Sequence, residues 1–376
     1  MSGGAASLLE DAARAQPELV DRLLRLTAFD APSEDLPTLR AAADVFAEEL
    51  ASLGGEVERH ERSGISHLST RFGPAGDAHV LVLCHYDTVW PAGTAAERPA
   101  RLADGRLSGP GVFDMRGGIV AALGALRLLG ADRLRAPVRV LLTGDEETGA
   151  ASSADLIRDF ATGASLVLVT EPPLPGGALK TARKGWATYT LDVDGKPAHS
   201  GLDPYGGVSA IEELLDQLRV VLALADRDAG TTLNLGTIRG GSRANVVAAE
   251  ASALVEVRAE AVAEQERVDE TLRALHSRRP GATLRLTRHH MRPPMERTRA
   301  IASAYARARE LAGLLGFELG EGMAGGTSDA NLIAPLGMPL LDGLGPEGGG
   351  AHALDEHILV GSLVQRTALI ALLLAA

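Results

Sequence analysis

Apolar residues recur at helical spacing over Glu18 to Leu26 and again over Leu36 to Leu53, so the chain opens on two amphipathic helices. Three short apolar runs follow: HVLVLC at 79–84, VRVLL at 138–142 and SLVLV at 165–169. They are too brief for helices and continuous rather than alternating, the pattern of strands buried on both faces of a parallel sheet. GGIVAALGALRLLG at 117–130 reads as a helix covering that sheet. From about Gly185 the pattern changes, because WATYTLDVDG alternates apolar and polar residues as a half-exposed strand does. A helix (Val208 to Ala225), two alternating strands (TTLNLGTI and SALVEVRAE), a helix (Val262 to Ser277) and a strand (ATLRLTR) complete a βαββαβ order, that of a ferredoxin-like unit. A helix from Ala300 to Leu315 and the apolar segment MPLLDGLG then return to the first style. The pattern therefore predicts one α/β domain with a mostly parallel central sheet, residues 1–184 and 292–376, interrupted by a smaller α+β domain over 185–291.

Composition narrows the function classes. The chain has 376 residues, 45% hydrophobic and 23% charged, which excludes disordered and collagen-like chains. Against 49 acids stand 37 bases, only three of them lysines, for a net charge of -12. A nucleic-acid or anionic-membrane partner would need a basic surface, so neither is expected. Cys84, the single cysteine, excludes an intramolecular disulfide, and the first residues lack the basic start and apolar core of a signal peptide. These features place the protein in the cytoplasm. The terminal run LIALLLAA is too short to span a bilayer and reads as a final helix packed on the core.

Open parallel sheets bind ligands beyond the carboxyl ends of their strands, so the residues following each strand matter most. HVLVLC runs into His85 and Asp87; VRVLL runs through TGD into Glu146 and Glu147; SLVLV runs through Thr170 into Glu171. MPLLDGLG leads through PEGGGA to His352, and Asp114 stands just before the helix at Gly117. Carboxylates packed this closely repel and raise one another's pKa unless cations neutralise them. Imidazole with carboxylate suits zinc, with manganese or cobalt next, and the ligand number exceeds one tetrahedral site. Two metals roughly 3.5 to 4 Å apart, sharing a carboxylate, fit better. An extended backbone puts residues i and i+2 on one side, so Asp87 can accept the second ring N–H of His85. Neighbouring side chains diverge, so one of Glu146 and Glu147 can bind metal while the other serves as a base. GPGVFD resembles the start of a dinucleotide loop, but Asp114 replaces the third glycine and no strand precedes it.

With these motifs in order (HYDTV, GPGVFDMRGG, GDEETG, TEP, GKPAHSG, GTSDA and GGGAHALDE), the chain resembles the dinuclear zinc metallopeptidases and amidohydrolases. That family includes glutamate carboxypeptidase, aminoacylase, acetylornithine deacetylase and succinyl-diaminopimelate desuccinylase, and the motif style is closest to the first. The resemblance implies two zinc ions per chain, cobalt or manganese being alternatives. One would be held by His85, Asp114 and Glu171, the other by Asp114, Glu147 and His352. Glu146 would be the base and Asp87 the partner of His85. Where the family usually has a lysine two residues after the aspartate, this chain has Arg116, which keeps the charge. The 185–291 insert corresponds to a lid and dimerisation domain, so His199 would reach the partner subunit's site in a homodimer and polarise the scissile carbonyl. Asn245 and Arg258 resemble residues that bind the substrate's carbonyl and carboxylate, and Gly326, which opens GTSDA, joins them as a substrate-binding position. The implied activity is hydrolysis of an amide bond in a small peptide or N-acyl amino acid with a free carboxylate. Two alternatives are an amidase, deacylase or decarbamoylase of specialised metabolism, and a non-catalytic binding protein on the same fold. The second would be marked by loss of the base or of a ligand, and the sequence keeps both.

Overall fold

The computed structural model describes residues 2–76 and 78–375. The three continuous apolar runs form the centre of an eight-stranded sheet: Val138–Thr143, His79–His85 and Ala164–Val169 lie side by side in parallel, and Leu340–Asp342 extends them. All of His79–His85 is buried, as a strand covered on both faces must be. The expected parallel sheet is thus present through its four central strands, and the flanks are antiparallel. Val57–Arg62 and Ile65–Phe72 form a hairpin that pairs with Val138–Thr143, while Leu179–Arg183 runs antiparallel to Leu340–Asp342. The sequence reading passed over these flanks because their buried positions are polar: Ser66, His67, Ser69 and Thr70 in one strand, Lys180, Thr181 and Arg183 in the other.

Helices Gln16–Thr27, Leu36–Ala51, Gly117–Leu129 and Val360–Ala375 stand where periodicity put them, and Ser2–Arg14 adds one the sequence reading did not include. Leu36–Ala51 starts at Asp35, whose carboxylate accepts the Thr38 N–H at 3.2 Å, with proline in the first turn. The terminal helix packs on Gly117–Leu129 within the core. Among the described residues no helix is long and apolar enough to cross a membrane. A small antiparallel sheet of Arg101–Ala103, Arg106–Ser108, His357–Leu359 and Gly348–Gly349 ties the segment before Asp114 to the segment around His352.

The chain divides into two units. The first holds residues up to Thr181, Arg297–Met323 and the chain from Ser328 onward; the second is Ala182–Glu296 with Ala324–Thr327. The borders lie a few residues outside the 185–291 read from the sequence, and the stretch before Ser328 groups with the second unit. That unit is a four-stranded antiparallel sheet in the order Thr232–Gly240, Glu250–Ala259, Gly185–Asp194, Thr283–Arg292. Numbered along the chain this is 2-3-1-4, the ferredoxin-like order, with Ala210–Leu222 and Val262–Arg273 as the connecting helices. Gly185–Asp194 alternates buried and half-buried residues along its whole length, as its sequence alternates.

One buried ion cluster fastens three helices of the first unit. Glu49 of Leu36–Ala51, 1% exposed, accepts from Arg22 at 2.7 Å, Arg127 at 2.5 Å and Arg25. Burial works against the carboxylate, but the charges of Arg127 and Arg22 outweigh it and hold its pKa below the ordinary 4.5. A depressed carboxylate stabilises the fold above its unfolded pKa and loses that contribution as pH falls through the folded value. Glu49→Gln should therefore cost about 1.5–3 kcal/mol at pH 7, the worth of charged hydrogen bonds whose arginines partly recover water. In urea melts at several pH values, the gap between variant and wild type should close below pH 4.5.

Candidate metal centre

Three ligand candidates sit where adjacent parallel strands end. His85 is the last residue of its strand, Glu147 lies in the single turn Glu146–Thr148 just past Val138–Thr143, and Glu171 follows Ala164–Val169 by two residues. Asp114 comes from Val112–Arg116, a wide turn ahead of helix Gly117–Leu129, and its peptide bond to Met115 is cis. That helix can approach because residue 118 is glycine: a Cβ there would lie 1.9 Å from the Thr170 carbonyl oxygen. The same approach brings the Asp114 turn beside Glu171. His352 stands in the loop after Gly348–Gly349 with φ of 60°, a left-handed conformation uncommon for a side-chain-bearing residue.

Asp114 is the meeting point. Its Oδ1 lies 3.2 Å from His85 Nε2, and its Oδ2 lies 3.5 Å from His352 Nε2. His85 Nε2 is also 3.6 Å from Glu171 Oε1, and His352 Nε2 is 3.2 Å from Glu147 Oε1. The cluster thus separates into two sets, His85 with Glu171 and His352 with Glu147, joined through one carboxylate. His85, Asp114 and Glu147 offer ligand atoms all within 4.8 Å of one another, a group able to hold a metal ion.

The electrostatics report excess negative charge. Hydrogen bonds to Asp114 and Glu147 push the His352 pKa up to about 10. Burial opposes the imidazolium of His85, yet Asp114 and Asp87 raise its pKa well above the ordinary range. Burial likewise opposes the Asp114 carboxylate, and the two histidines hold it far below the usual range. Burial raises Glu147, with Asp114 adding to the shift against the pull of His352. Acids that draw both histidines upward in pKa mark a site that attracts positive charge, so the donor set fits metal.

Asp87 does more than the sequence reading assigned. His85 Nδ1 hydrogen-bonds the Asp87 carbonyl at 3.1 Å, with the carboxylate Oδ1 at 3.4 Å. That carboxylate, fully buried, accepts the N–H of Glu146 at 3.2 Å, the N–H of Glu147 at 3.1 Å and the Ser33 hydroxyl at 2.6 Å. It orients the glutamate turn as well as the imidazole. Glu146 is half-buried on that turn.

A residue the sequence reading missed is Glu356. It is 1% exposed and accepts the N–H groups of Gly111 at 2.8 Å and of Phe113 and Asp114 at 3.0 Å, plus the Trp90 indole at 2.9 Å. Four residues after His352, it fastens the Asp114 turn to the His352 loop. Its only sequence signal was its place at the end of GGGAHALDE, where a lone glutamate says nothing about partners far away in the chain.

The remaining candidates belong to the second unit. His199 is exposed, and its Nδ1 accepts the N–H groups of Gly201 and Leu202 at 3.1 Å, so Nε2 carries the ring proton. Asn245, also exposed, neighbours it: its carbonyl accepts the Ser200 N–H at 3.1 Å. Arg258 lies apart from this pair in the sheet, with its Nε on Glu256 at 3.0 Å and one Nη donating to the Gly325 carbonyl at 3.5 Å. Arg183 bonds the carbonyl of Gly326 at 3.1 Å, which brings the Gly325–Gly326 stretch to Arg258.

A parallel-centred sheet whose strand ends gather imidazoles and carboxylates, with a separate antiparallel unit inserted, defines a two-unit metal-dependent hydrolase. The chain belongs to peptidase family M20/M25/M40, whose model matches residues 81–376. It is an enzyme, a hydrolase of the metallopeptidase type. Carboxypeptidase G2 from Pseudomonas sp. (strain RS-16) is 28% identical over 375 residues, 96% of this chain and 89% of that protein. Among solved structures, aminopeptidase PepT from Bacillus cereus superposes with a TM-score of 0.77 at 22% identity, covering 96% of this chain and 98% of its own. A tripeptidase from Staphylococcus aureus superposes with a TM-score of 0.79 at 21% identity, with the same coverage.

Glu356→Gln keeps the size but turns an amide NH₂ toward backbone donors. It should weaken divalent-metal affinity by about 10–100-fold, the range for groups that orient metal ligands. Chelator competition on apoprotein and variant checks this, and unchanged affinity would remove Glu356 from the site.

Proposed function

We propose that this enzyme is a two-zinc hydrolase that cleaves the amide bond next to a free carboxylate, in a small peptide or an N-acyl amino acid. The observation that carries the two-metal reading is Asp114, whose two oxygens face two different histidines, each with its own acid. Ions held by His85, Asp114 and Glu171 and by Asp114, Glu147 and His352 would supply Lewis acidity, polarising the scissile carbonyl and acidifying water. Glu146 accepts the proton of the attacking water and returns it to the leaving nitrogen. His199 would reach the partner subunit's site and offer its Nε2–H to the carbonyl oxygen there, with Asn245 as second donor. Arg258 takes the substrate carboxylate, its Nε edge fixed by Glu256, and Gly326 lies beside it.

In this reading residues 1–184 and 292–376 are the catalytic domain and 185–291 the lid and dimerisation domain of a homodimer. Supporting a second copy, helix Ala210–Leu222 leaves Ile211, Leu215 and Leu222 exposed, and the edge strand Thr232–Gly240 exposes Ile238. The similarity to carboxypeptidase G2 supports hydrolysis of a peptide bond. A panel of dipeptides, N-acyl and N-carbamoyl amino acids with added zinc, read by release of free amine, tests the whole reading. Hydrolysis of their carboxamide counterparts at equal rate would overturn the carboxylate requirement.

Glu146→Gln should lower kcat by about a hundredfold to ten-thousandfold with both metals retained, whereas Glu147→Gln should lower metal occupancy. Metal content and turnover from one preparation of each variant decide, and the reverse pattern would exchange their roles. Arg258→Ala should raise KM for carboxylate substrates at least tenfold while leaving their amides within about twofold, since only the former lose a charged partner. Equal losses on both would make Arg258 structural.

A further inference from the structure

The turn that carries Glu146 and Glu147 is gripped from its far side by a buried network that the chemistry above does not use. His67, in strand Ile65–Phe72, is fully buried. Its Nδ1 accepts the N–H of Gly144 at 3.3 Å, and its Nε2 lies 3.0 Å from Ser152 Oγ. Ser152 donates that hydroxyl to Asp145 Oδ2 at 2.7 Å, and Asp145 also accepts the Ser152 N–H at 2.7 Å, the Ser153 N–H at 3.2 Å and the Ser153 hydroxyl at 2.5 Å. Asp145 is 2% exposed.

The protons in this network have one consistent arrangement. A backbone N–H can only donate, so Nδ1 must be a bare acceptor and Nε2 carries the hydrogen, which goes to Ser152 Oγ. Ser152 in turn gives its own proton to Asp145. A histidine that donates to a serine cannot take its proton, so this is not a nucleophilic triad despite its composition. What the network holds is geometry. Gly144 has no room for a side chain: a Cβ there would meet the Tyr86 hydroxyl at 2.5 Å, and that hydroxyl is itself fixed on the Ser66 carbonyl at 2.8 Å. Asp87 takes the N–H groups of Glu146 and Glu147 on the site side, so the turn is pinned at residues 144, 146, 147, 152 and 153.

We propose that His67, acting through Gly144 and the Ser152–Asp145 relay, is a positioning residue that sets the Glu146–Glu147 turn for base and ligand duty. The inference rests on the roles given to Glu146 and Glu147 above. Burial lowers the His67 pKa against the charges of Asp145 and Asp87, which agrees with the neutral imidazole the hydrogen bonds require.

The test uses His67→Ala, His67→Asn, His67→Gln and Ser152→Ala in the full-length, zinc-loaded enzyme. Asn places an oxygen where Nδ1 accepts from Gly144; Gln reaches only toward Ser152. His67→Ala should lower kcat about 10–100-fold with KM within about twofold, the scale of a displacement near 1 Å at reacting groups. His67→Asn should recover most of that loss, and His67→Gln little of it. In hydrogen–deuterium exchange, amides of residues 144–153 should exchange about tenfold faster in His67→Ala and Ser152→Ala, with the rest of the sheet unchanged. Equal kcat in the Ala, Asn and Gln variants, or faster exchange throughout the first unit, would overturn the proposal. Should His67→Ala fail to fold, Ser152→Ala, which leaves the imidazole in place, carries the comparison alone. Should wild-type enzyme cleave nothing in the substrate panel, the hydrolytic reading fails by itself, and exchange at 144–153 still decides the clamp.

Discussion

Negative charge gathered at the carboxyl end of the central strands is the constraint on which the rest of this structure depends. At about 4 Å and an effective dielectric near 20, each pair of like charges repels by roughly 4 kcal/mol. Asp114, Glu147 and Glu171 gather around two histidines, and the upward pKa shifts of His85 and His352 point the same way, toward positive charge between the acids. Such a cluster does not hold itself together. The Glu146–Glu147 turn and the Asp114 turn are anchored by carboxylates outside the cluster.

The anchors share one chemistry. Asp87 binds the N–H groups of Glu146 and Glu147; Glu356 binds those of Gly111, Phe113 and Asp114; Asp145 binds those of Ser152 and Ser153. In each case a buried carboxylate takes up backbone donors that a loop at a strand end would otherwise leave unpaired. Charge-assisted bonds of this kind are among the stronger ones available to a protein. The loops are thereby fastened at their backbones, although they have little regular structure of their own. The second unit is built differently: its strands alternate in burial, and His199 and Asn245 stand exposed on its loops.

The central strands, the covering helices and the ferredoxin-like order were legible because each rests on hydrophobic periodicity. HVLVLC and WATYTLDVDG state their burial directly. The flanking strands were not, since ISHLSTRF hides its core behind serine, histidine and threonine, and VERHER is mostly exposed. Ligand candidates were legible because strand ends are special places in an open sheet. His67 and Glu356 were not: each is a lone polar residue whose meaning lies in backbone groups some 77 and 242 to 245 residues away. No local pattern encodes such a partner.

The same limit explains why only part of the Asp87 role was legible. The sequence reads Asp87 as the partner of His85 and Asp114 as a ligand candidate, and nothing in it marks the hold of Asp87 on the Glu146–Glu147 turn. What separates them is what their oxygens face. Those of Asp114 point to two imidazole nitrogens, while those of Asp87 point to two backbone amides and a serine hydroxyl. A carboxylate whose lone pairs are already filled by N–H and O–H donors has little left to give a cation, and one flanked only by imidazoles has both oxygens to offer. Ligand candidate and clamp are thus divided by hydrogen-bond saturation rather than by residue type, and this is why an acid-rich site can carry as many carboxylates that organise the backbone as carboxylates left open to a cation.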